Sequence, residues 1–276
     1  MKIVVATVIF NEAVEYLPDF LESLYEQTDS QFDIILVNDN ISDEKLNEIK
    51  QCVLKQFYNR FTIVDKSDFA LTPAQLRVEM IKSAFELKYD LLIMQDCDDM
   101  AEKNRVKHIR DQFESEYGFF YNELRDFSGK VVMPTLPRQT LDYRDIVEYN
   151  YLGMSNGAIN LRRLTKDFID SLKNGETAIF DWYMYSRMLL KGEKGKKIED
   201  TYTFYRIYES NIAGRCNHSQ EAINKEVDVK KKHYRLLEGY EERYKKLATL
   251  YENNQYFEIN ENENGYWWSL TKGYVD

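Results

Sequence analysis

Long apolar runs, cysteine and excess positive charge are all scarce in this chain of 276 residues. No run of 18 apolar residues occurs, so the sequence predicts no membrane-spanning helix. The three cysteines, Cys52, Cys97 and Cys216, have no metal-ligand spacing, and so few do not form a disulfide framework. Lys and Arg (37) are outnumbered by Asp and Glu (47), giving a formal net charge of −10. This balance argues against a general nucleic-acid-binding protein, which carries a basic surface.

Apolar and aromatic residues are plentiful by contrast. They make up 43% and 14% of the chain, which is enough for one large α/β domain or one domain with an appendage. Most of the aromatic residues are explained by core packing, although amphipathic rings can also line sugar-binding clefts. The first apolar segment, Ile3–Phe10, is too short and too rich in β-branched residues for a signal peptide. We therefore expect a soluble cytoplasmic protein.

Strands alternate with amphipathic helices through the first hundred residues. The predicted strands cover residues 3–10, 32–37, 61–64 and 91–95, and the predicted helices cover residues 17–26, 42–57 and 72–84. Ser42 is a good helix N-cap, and Thr72 and Gln75 form a capping box around Pro73. Such alternation is typical of βαβ units and predicts a parallel sheet.

The second half of the chain is less regular. We expect a strand at residues 130–134, a strand-loop-strand at 151–163, a helix at 180–190, a strand at 201–206, and a charged helix or helix pair at 218–252. The tail that follows is polar and aromatic. No internal repeat and no Pro/Gly/Ser-rich linker divides the chain.

Three carboxylates follow the fourth predicted strand, at Asp96, Asp98 and Asp99. Open α/β sheets bind ligands at the carboxyl ends of their strands, and Mg²⁺ is typically held by one or two carboxylates together with substrate phosphates. Asp39 follows another predicted strand, and right-handed crossovers bring both strand ends to one edge of the sheet. The residues alone also permit a simpler interpretation, in which the aspartates form a turn and complement the dipole of a helix that starts near Glu102.

Six segments match the motifs of one known family, in the family's order. They are residues 4–11 with 16–28, residues 35–40, residues 96–99, residues 155–163, residues 180–182 with Arg187, and residues 205–208 with Asn211. On these motifs residues 1–215 resemble the family 2 inverting glycosyltransferases. The resemblance implies an α/β fold with a mostly parallel central sheet flanked by helices, the Rossmann-like A-type glycosyltransferase fold, followed by a helical C-terminal extension.

The resemblance also implies a role for individual residues. A Mn²⁺ or Mg²⁺ ion would be held by Asp98 together with Asp96 and Asp99. The nucleotide would contact Asn11, Glu12, Asp39, Arg77 and Asp96, the acceptor side would include Asn156, Gly157 and Trp182, and Asp181 would be the catalytic base.

Simpler interpretations remain open for several of these residues. Asp181 is also suited to be a helix N-cap, Trp182 to pack in the core, Asp39 to form a turn, and Arg77 to form a surface ion pair worth ~0–1 kcal/mol.

Four places depart from the family's pattern. Asn38 stands in place of an acid, Phe180 in place of the usual Glu, and Tyr208 in place of the usual His, and residues 76–78 keep only the arginine of the usual Ala-Arg-Asn. These departures keep open a catalytically silent relative that only binds nucleotide or glycan. A nucleotidyltransferase is disfavoured, because residues 10–13 lack the glycine-rich basic loop that holds a triphosphate.

The expected organisation is a catalytic domain at residues 1–215, with a nucleotide-binding half at 1–100 and an acceptor-binding half at 101–215, and a helical extension at 216–276. The expected partners are a nucleotide-diphospho-sugar donor, with UDP as the nucleotide, and a glycan or glycolipid acceptor. The C-terminal helix is a candidate surface for homodimerisation. Lys230, Lys231 and Lys232 could bring the protein to the inner face of the membrane, although lysines on a charged helix are more often solvated.

Overall fold

The computed structural model of the chain describes residues 1–174, 179–208, 219–253, 257–259 and 265–273. The strands are β1 Ile3–Phe10, β2 Asp33–Asp39, β3 Phe61–Asp65, β4 Leu91–Met94, β5 Met100–Ala101, β6 Phe119–Arg125, β7 Gln139–Thr140, β8 Gly157–Asn160, β9 Gly195–Phe204, β10 Phe257–Ile259 and β11 Thr271–Gly273. The helices are α1 Leu17–Tyr25, α2 Asp43–Gln56, α3 Pro73–Glu86, α4 Arg105–Asp111, α5 Lys166–Ser171, α6 Phe180–Leu190, α7 Gln220–Leu237 and α8 Glu242–Glu252.

The contacts divide the chain into two compact units. The first unit comprises Met1–Val132, Met154–Glu176 and Gly195–Arg206, and the second comprises Met133–Gly153, Thr177–Lys194 and Ile207–Asp276. This division differs from a simple boundary at residue 215, because α6 groups with α7 and α8 rather than with the sheet. The functional halves expected from the sequence stay a prediction.

The first unit is built on a mixed, mostly parallel sheet. Its strand order is β3-β2-β1-β4-β8-β6-β9-β5. The first four strands are parallel, β8 runs antiparallel between β4 and β6, and β9 runs parallel to β6. The predicted α/β class is thus confirmed. Since β1 lies between β2 and β4 and all three are parallel, their carboxyl ends lie along one edge of the sheet.

The helix caps predicted within the first hundred residues are confirmed. Ser42 Oγ accepts a hydrogen bond from the Lys45 amide at the start of α2. Thr72 and Gln75 form the expected capping box at the start of α3. Each such cap stabilises its helix by ~1 kcal/mol. The central strands β1 and β4 are apolar except for the buried Thr7, because both faces of a parallel sheet are covered.

The strand predictions of the second half were partly wrong. Residues 130–134 form no strand: Val131 makes an isolated bridge with Arg125, after a turn in which Asp126 Oδ1 accepts hydrogen bonds from the Ser128 and Lys130 amides. The strand in this region is β6, which precedes the turn and was not predicted. In the segment 151–163 only the second of the two expected strands, β8, forms.

The second unit has a helical and aromatic core. The expected helix pair is present as α7 and α8, which pack together. Trp182 on α6 is 0% exposed, stacks on His233 with a centroid distance of 3.9 Å, and donates a hydrogen bond to the Ile146 carbonyl at 2.7 Å. Strands β10 and β11 pair antiparallel.

A buried ion pair connects α7 to the segment before and within β11. Lys230 is 0% exposed, and its Nζ lies 3.2 Å from Glu226 Oε1 and donates to the Thr271 carbonyl. Glu226 also accepts hydrogen bonds from the Leu270 and Thr271 amides. The suggestion that Lys230 contacts a membrane is therefore wrong. Among the described residues, no helix is both long and apolar enough to cross a membrane.

Candidate active site at the edge of the sheet

The acidic segment after β4 forms a turn whose side chains alternate between the protein interior and the surface. The Asp99 amide donates to the Asp96 carbonyl at 3.2 Å, and Gln95 Nε2 donates to the Asp99 carbonyl at 2.9 Å. Cys97 and Asp99 are buried, whereas Asp96 and Asp98 are partly exposed. The turn therefore presents two carboxylates rather than three at the edge of the sheet.

Asp96 is held by two other elements of the first unit. Its backbone amide donates to Ser155 Oγ at 2.9 Å, and that hydroxyl donates back to Asp96 Oδ2 at 3.3 Å. Arg77 on α3 lies with Nη2 3.4 Å from Asp96 Oδ1. Both partners of this ion pair are partly exposed, so its main effect is to orient Asp96 rather than to stabilise the fold.

Asp99 turns inward. It is 1% exposed, and its Oδ1 accepts a hydrogen bond from the Arg206 amide at 2.7 Å. Its Oδ2 is buried without a hydrogen-bond partner among the described residues. Burial, and next the negative charges of Asp98 and Asp96, raise the pKa of Asp99 well above its ordinary value. Asp99 therefore helps to fix the turn through its bond with the Arg206 amide, and its contact with a cation stays a prediction.

Arg206 fixes the same turn from the end of β9. Its Nε donates to the Asp98 carbonyl at 2.9 Å. Its guanidinium carbon lies 4.3 Å from the ring centre of Tyr16 and 4.4 Å from that of Phe127, a cation–π arrangement that favours a planar arginine. No role for Arg206 could be predicted from the motif at residues 205–208, because Asp98 and Asp99 lie 108 and 107 residues earlier in the chain.

A second arginine, Arg105, contacts the residues that lead from β4 into the acidic turn. Arg105 is 1% exposed, and its Nη1 donates to Gln95 Oε1 at 2.6 Å while its Nη2 donates to the Met94 carbonyl at 3.2 Å. Its Nε donates to Asn122 Oδ1 at 3.0 Å. Because Gln95 in turn bonds the Asp99 carbonyl, the buried guanidinium sets the direction in which the chain leaves β4.

The carboxyl ends of β1 and β2 form the other part of this edge. Asn11 Nδ2 donates to the Asn40 carbonyl at 3.2 Å, which ties the two strand ends together. Asp39 is partly exposed, and partial burial, followed by the negative charge of Glu12, raises the pKa of its carboxyl. The structure thus brings Asn11, Glu12 and Asp39 together. Asp39 lies two strands from Asp96, roughly 10 Å at the usual strand spacing.

Asn38 has a structural role that explains its departure from the family's pattern. Its side chain is buried, its Nδ2 donates to Asp65 Oδ1 at 3.0 Å, and its Oδ1 accepts from the Ile41 amide at 3.0 Å. The amide therefore joins the ends of β2 and β3 and shapes the turn after β2. A carboxylate here could not donate to Asp65.

The predicted acceptor-side residues Asn156 and Gly157 are both buried. Asn156 Nδ2 donates to the Asn122 carbonyl at 3.1 Å, and the Asn156 carbonyl accepts from the Asn122 amide at 3.0 Å. These bonds fix the loop that carries Ser155 against β6. Contact with an acceptor stays a prediction for both residues.

Asp181 and Trp182 belong to the second unit. The N-cap of α6 is Ile179, so the interpretation of Asp181 as the N-cap is wrong. Asp181 is partly exposed in the first turn, and its Oδ1 accepts from the Trp182 amide at 2.6 Å. The dipole of the helix favours the ionised carboxylate there. Trp182 is fully buried, so its ring is not available to stack on an acceptor sugar. The expectation that Trp182 belongs to the acceptor side is therefore wrong.

Two other motif positions can be placed only in part. Phe180, which stands where the family has Glu, is buried in the core of the second unit. Asn211 belongs to the motif that begins at residues 205–208, but it lies outside the described residues. Cys216 and His218 lie outside them as well.

The sheet order and the acidic edge after β4 are those of the A-type glycosyltransferase fold. Residues 4–171, more than half of the chain, match the family model described as Glycosyl transferase family 2. The chain belongs to this family and is a glycosyltransferase. No curated protein sequence is significantly similar to it.

Three solved structures illustrate the likeness of fold. S. aureus TarS 1–349 matches with a TM-score of 0.57 and 13% identity over 95% of both chains. The mannosyltransferase PcManGT from Pyrobaculum calidifontis, in complex with GDP-Man and Mn²⁺, matches with a TM-score of 0.55 and 10% identity over 84% of this chain and 63% of that one. GalNAc-T7 with UDP, GalNAc and Mn²⁺ matches with a TM-score of 0.60 and 14% identity over 89% and 49%.

The donor set at the edge fits a divalent cation that shares its ligands with a diphosphate. Among the described residues, no three His, Cys, Asp or Glu side chains are grouped to hold a metal ion by themselves. Asp99 turns inward and Asp96 faces Arg77, so binding of one ion by Asp96, Asp98 and Asp99 together stays a prediction. Hard cations such as Mg²⁺ keep few protein carboxylates and take other oxygens from substrate phosphates, so Asp98 with Asp96 beside it is sufficient.

Proposed function

We propose that the protein is a metal-dependent inverting glycosyltransferase that moves a sugar from a UDP-linked donor to a hydroxyl group of a glycan or glycolipid. The observation that supports this most is that Asp39, Asp96 and Asp98 follow parallel strands whose carboxyl ends lie along one edge of the sheet. This edge is where sheets of this kind bind nucleotides. We propose UDP as the nucleotide of the donor because structures of TarS and of GalNAc-T7 with UDP are among those similar in fold.

The residues of the edge have distinct roles in this proposal. Asp39 accepts a hydrogen bond from the ring N–H of the base, while Asn11 and Glu12 line the same strand ends. Asp96 accepts from the ribose hydroxyls, with Arg77 holding its carboxylate in place. Asp98 holds the cation, Mn²⁺ or Mg²⁺, and Asp96 beside it contributes an oxygen to the cation as well as to the ribose. A cation held there stabilises the charge of the departing diphosphate as a Lewis acid.

Asp181 is the proposed general base. It takes the proton from the acceptor hydroxyl as that oxygen attacks the anomeric carbon, and the bond from this carbon to the diphosphate breaks on the opposite side. The same logic governs inverting glycosidases, in which a carboxylate activates the nucleophile opposite the leaving group. The partial exposure of Asp181 and its place in the first turn of α6 are compatible with an ionised base.

The metal assignment is tested by titrating UDP into the protein with and without Mn²⁺ in a calorimeter. UDP should bind the wild type more tightly with Mn²⁺ present, and Asp98→Ala should lose this gain. Asp111→Ala is the matched control, because Asp111 is an exposed aspartate at the end of α4. An equal gain in wild type and Asp98→Ala would count against the assignment.

The same preparations separate an enzyme from a silent relative. A panel of nucleotide-diphospho-sugars is incubated with the protein and released nucleoside diphosphate is measured. Release above the level of the Asp98→Ala variant supports a transferase. Binding of UDP without turnover of any donor or acceptor pair would favour a protein that only holds nucleotide or glycan.

A further inference from the structure

A small pocket in the second unit has no part in the proposed chemistry. Its volume is about 220 Å³, and its lining includes Thr135, Gln139, Asp145, Tyr149, Tyr151 and Tyr266. We refer to it as the tyrosine pocket. Its size is below the ~300–1,000 Å³ of pockets for drug-sized ligands, so it suits a single small ring.

The three tyrosine rings form one aromatic wall. The ring centres of Tyr149 and Tyr266 are 5.2 Å apart with planes at 26°, and those of Tyr151 and Tyr266 are 5.3 Å apart. The hydroxyl of Tyr266 donates to the Thr135 carbonyl at 2.8 Å, and that of Tyr151 pairs with Thr140 Oγ1 at 2.8 Å. Tyr151 is 1% exposed, whereas Tyr149 and Tyr266 are partly exposed, so these two rings supply the accessible aromatic surface of the pocket.

The wall is held in place by backbone pairing. The Asn150 amide donates to the Trp267 carbonyl at 2.8 Å, and the Trp267 amide donates to the Asn150 carbonyl at 3.0 Å. This bridge fixes Tyr149 and Tyr151 on one segment against Tyr266 on the other. Trp268 follows with φ +61°, a rare conformation for a bulky residue. Such strain persists only where the surroundings impose it and is concentrated at functional sites.

The rim of the pocket carries one carboxylate with an open oxygen. Asp145 Oδ2 accepts hydrogen bonds from the Leu141 amide at 2.7 Å and the Asp142 amide at 3.1 Å. Among the described residues, Oδ1 makes no hydrogen bond. The backbone bonds fix the position of the carboxylate, so Oδ1 is preorganised to accept from a ligand.

We propose that the tyrosine pocket binds one pyranose ring of the glycan acceptor. A pyranose has C–H groups on its faces and hydroxyl groups around its edge, which match an aromatic wall and a fixed carboxylate oxygen. A quaternary ammonium ion fits less well, because aromatic cages surround the cation whereas Tyr149 and Tyr266 stack on each other. The identity of the sugar as part of an acceptor rests on the proposed function, but its binding here does not.

The proposal is tested by saturation-transfer NMR and affinity titration with methyl β-D-glucopyranoside and N-acetylglucosamine as probes. Mannitol, which has hydroxyl groups but no ring, and tetramethylammonium are the comparison probes. The wild type should bind at least one pyranose and neither comparison probe. Tyr266→Ala and Tyr149→Ala should each weaken this binding by about tenfold or more, equivalent to ~1.4 kcal/mol.

Matched variants separate the ring from its hydroxyl and from general damage. Tyr266→Phe keeps the ring and should retain binding, whereas Asp145→Asn replaces an acceptor at the rim and should weaken it. Tyr58→Ala removes a tyrosine that is 74% exposed in the first unit and should change nothing. Each variant is also titrated with UDP and Mn²⁺, and its thermal unfolding is measured.

The outcomes are distinct. Unchanged pyranose affinity in folded Tyr266→Ala and Tyr149→Ala, no pyranose binding by the wild type, or preferred binding of tetramethylammonium would each overturn the proposal. Loss of pyranose binding in these variants with UDP binding intact supports it. Absence of UDP binding in the wild type would contradict the proposed function instead, and leaves the result at the tyrosine pocket to stand by itself.

Discussion

Asp181 is the residue on which the proposed chemistry depends most. Asp181→Asn should reduce sugar transfer by about 10²–10⁴-fold, the usual contribution of general base catalysis. Stability should change little, because Ile179 is the N-cap and an Asn oxygen can still accept from the Trp182 amide. Donor binding should persist. The measurements are transfer rate, UDP affinity and thermal unfolding of the variant.

The matched control for this prediction is Asp167→Asn. Asp167 is the second residue of α5, as Asp181 is of α6, and it is exposed. Its replacement should leave transfer unchanged. If Asp181→Asn transferred sugar at the wild-type rate, Asp181 would be only a first-turn acid that interacts with the helix dipole.

If Asp39 binds the base as proposed, the affinity for the nucleotide should depend on pH. The carboxylate must be ionised to accept from the base, so affinity is present above its pKa and is lost as the pH falls through it. Partial burial and the charge of Glu12 raise this pKa, so the loss begins at a higher pH than for an ordinary aspartate. Glu12→Gln removes one of the two causes and should move the acid limb of UDP binding to lower pH.

Asp39→Ala is the companion variant for this measurement. It should weaken UDP binding by roughly 1–3 kcal/mol, the cost of leaving a buried polar group without its partner, and should abolish the acid limb that depends on Asp39. An acid limb that is the same in wild type and Asp39→Ala would show that Asp39 does not bind the base, whereas coinciding profiles for wild type and Glu12→Gln would show that burial alone raises the pKa of Asp39.

Between elements, Arg206 connects the end of β9 to the turn after β4. Arg206→Ala removes the hydrogen bond to the Asp98 carbonyl and the contacts with Tyr16 and Phe127. We expect weaker Mn²⁺-dependent UDP binding together with a loss of stability of roughly 1–3 kcal/mol. Calorimetry and denaturant unfolding measure the two effects.

Arg206→Lys is the control for charge. Lysine keeps the positive charge but not the planar group that packs between two rings, so it should recover little of the lost affinity. Full recovery by lysine would mean that Arg206 acts on the nucleotide as a charge and not on the turn through its shape.

The elements also show which parts of the fold could be predicted from the sequence. Helices α2 and α3 were predicted because Ser42 and Thr72 are local signals. Strand β6 was missed, because its neighbours β8 and β9 are distant in sequence and pairing with them creates the strand. The inward turn of Asp99 was missed for a similar reason, since its partner Arg206 lies 107 residues away.

In the molecule as a whole, the family could be predicted from the order of the sequence motifs. The division into two compact units could not, because it depends on contacts between segments that are distant in sequence. Nothing in the local sequence shows that α6 groups with α7 and α8. The same limit applies to Lys230: its spacing from Glu226 is visible, but its burial depends on Thr271 near the C-terminus. Homodimerisation through the C-terminal helix stays a prediction.

In the proposed function, one edge of the sheet, formed by β1, β2 and β4, holds a nucleotide diphosphate and its cation. A crystal structure with UDP and Mn²⁺, in which the anomalous signal of manganese locates the ion, tests this most directly. We expect manganese bound to the Asp98 carboxylate and the uracil ring N–H within hydrogen-bond distance of Asp39. UDP or manganese bound elsewhere on the protein, with this edge empty, would contradict it.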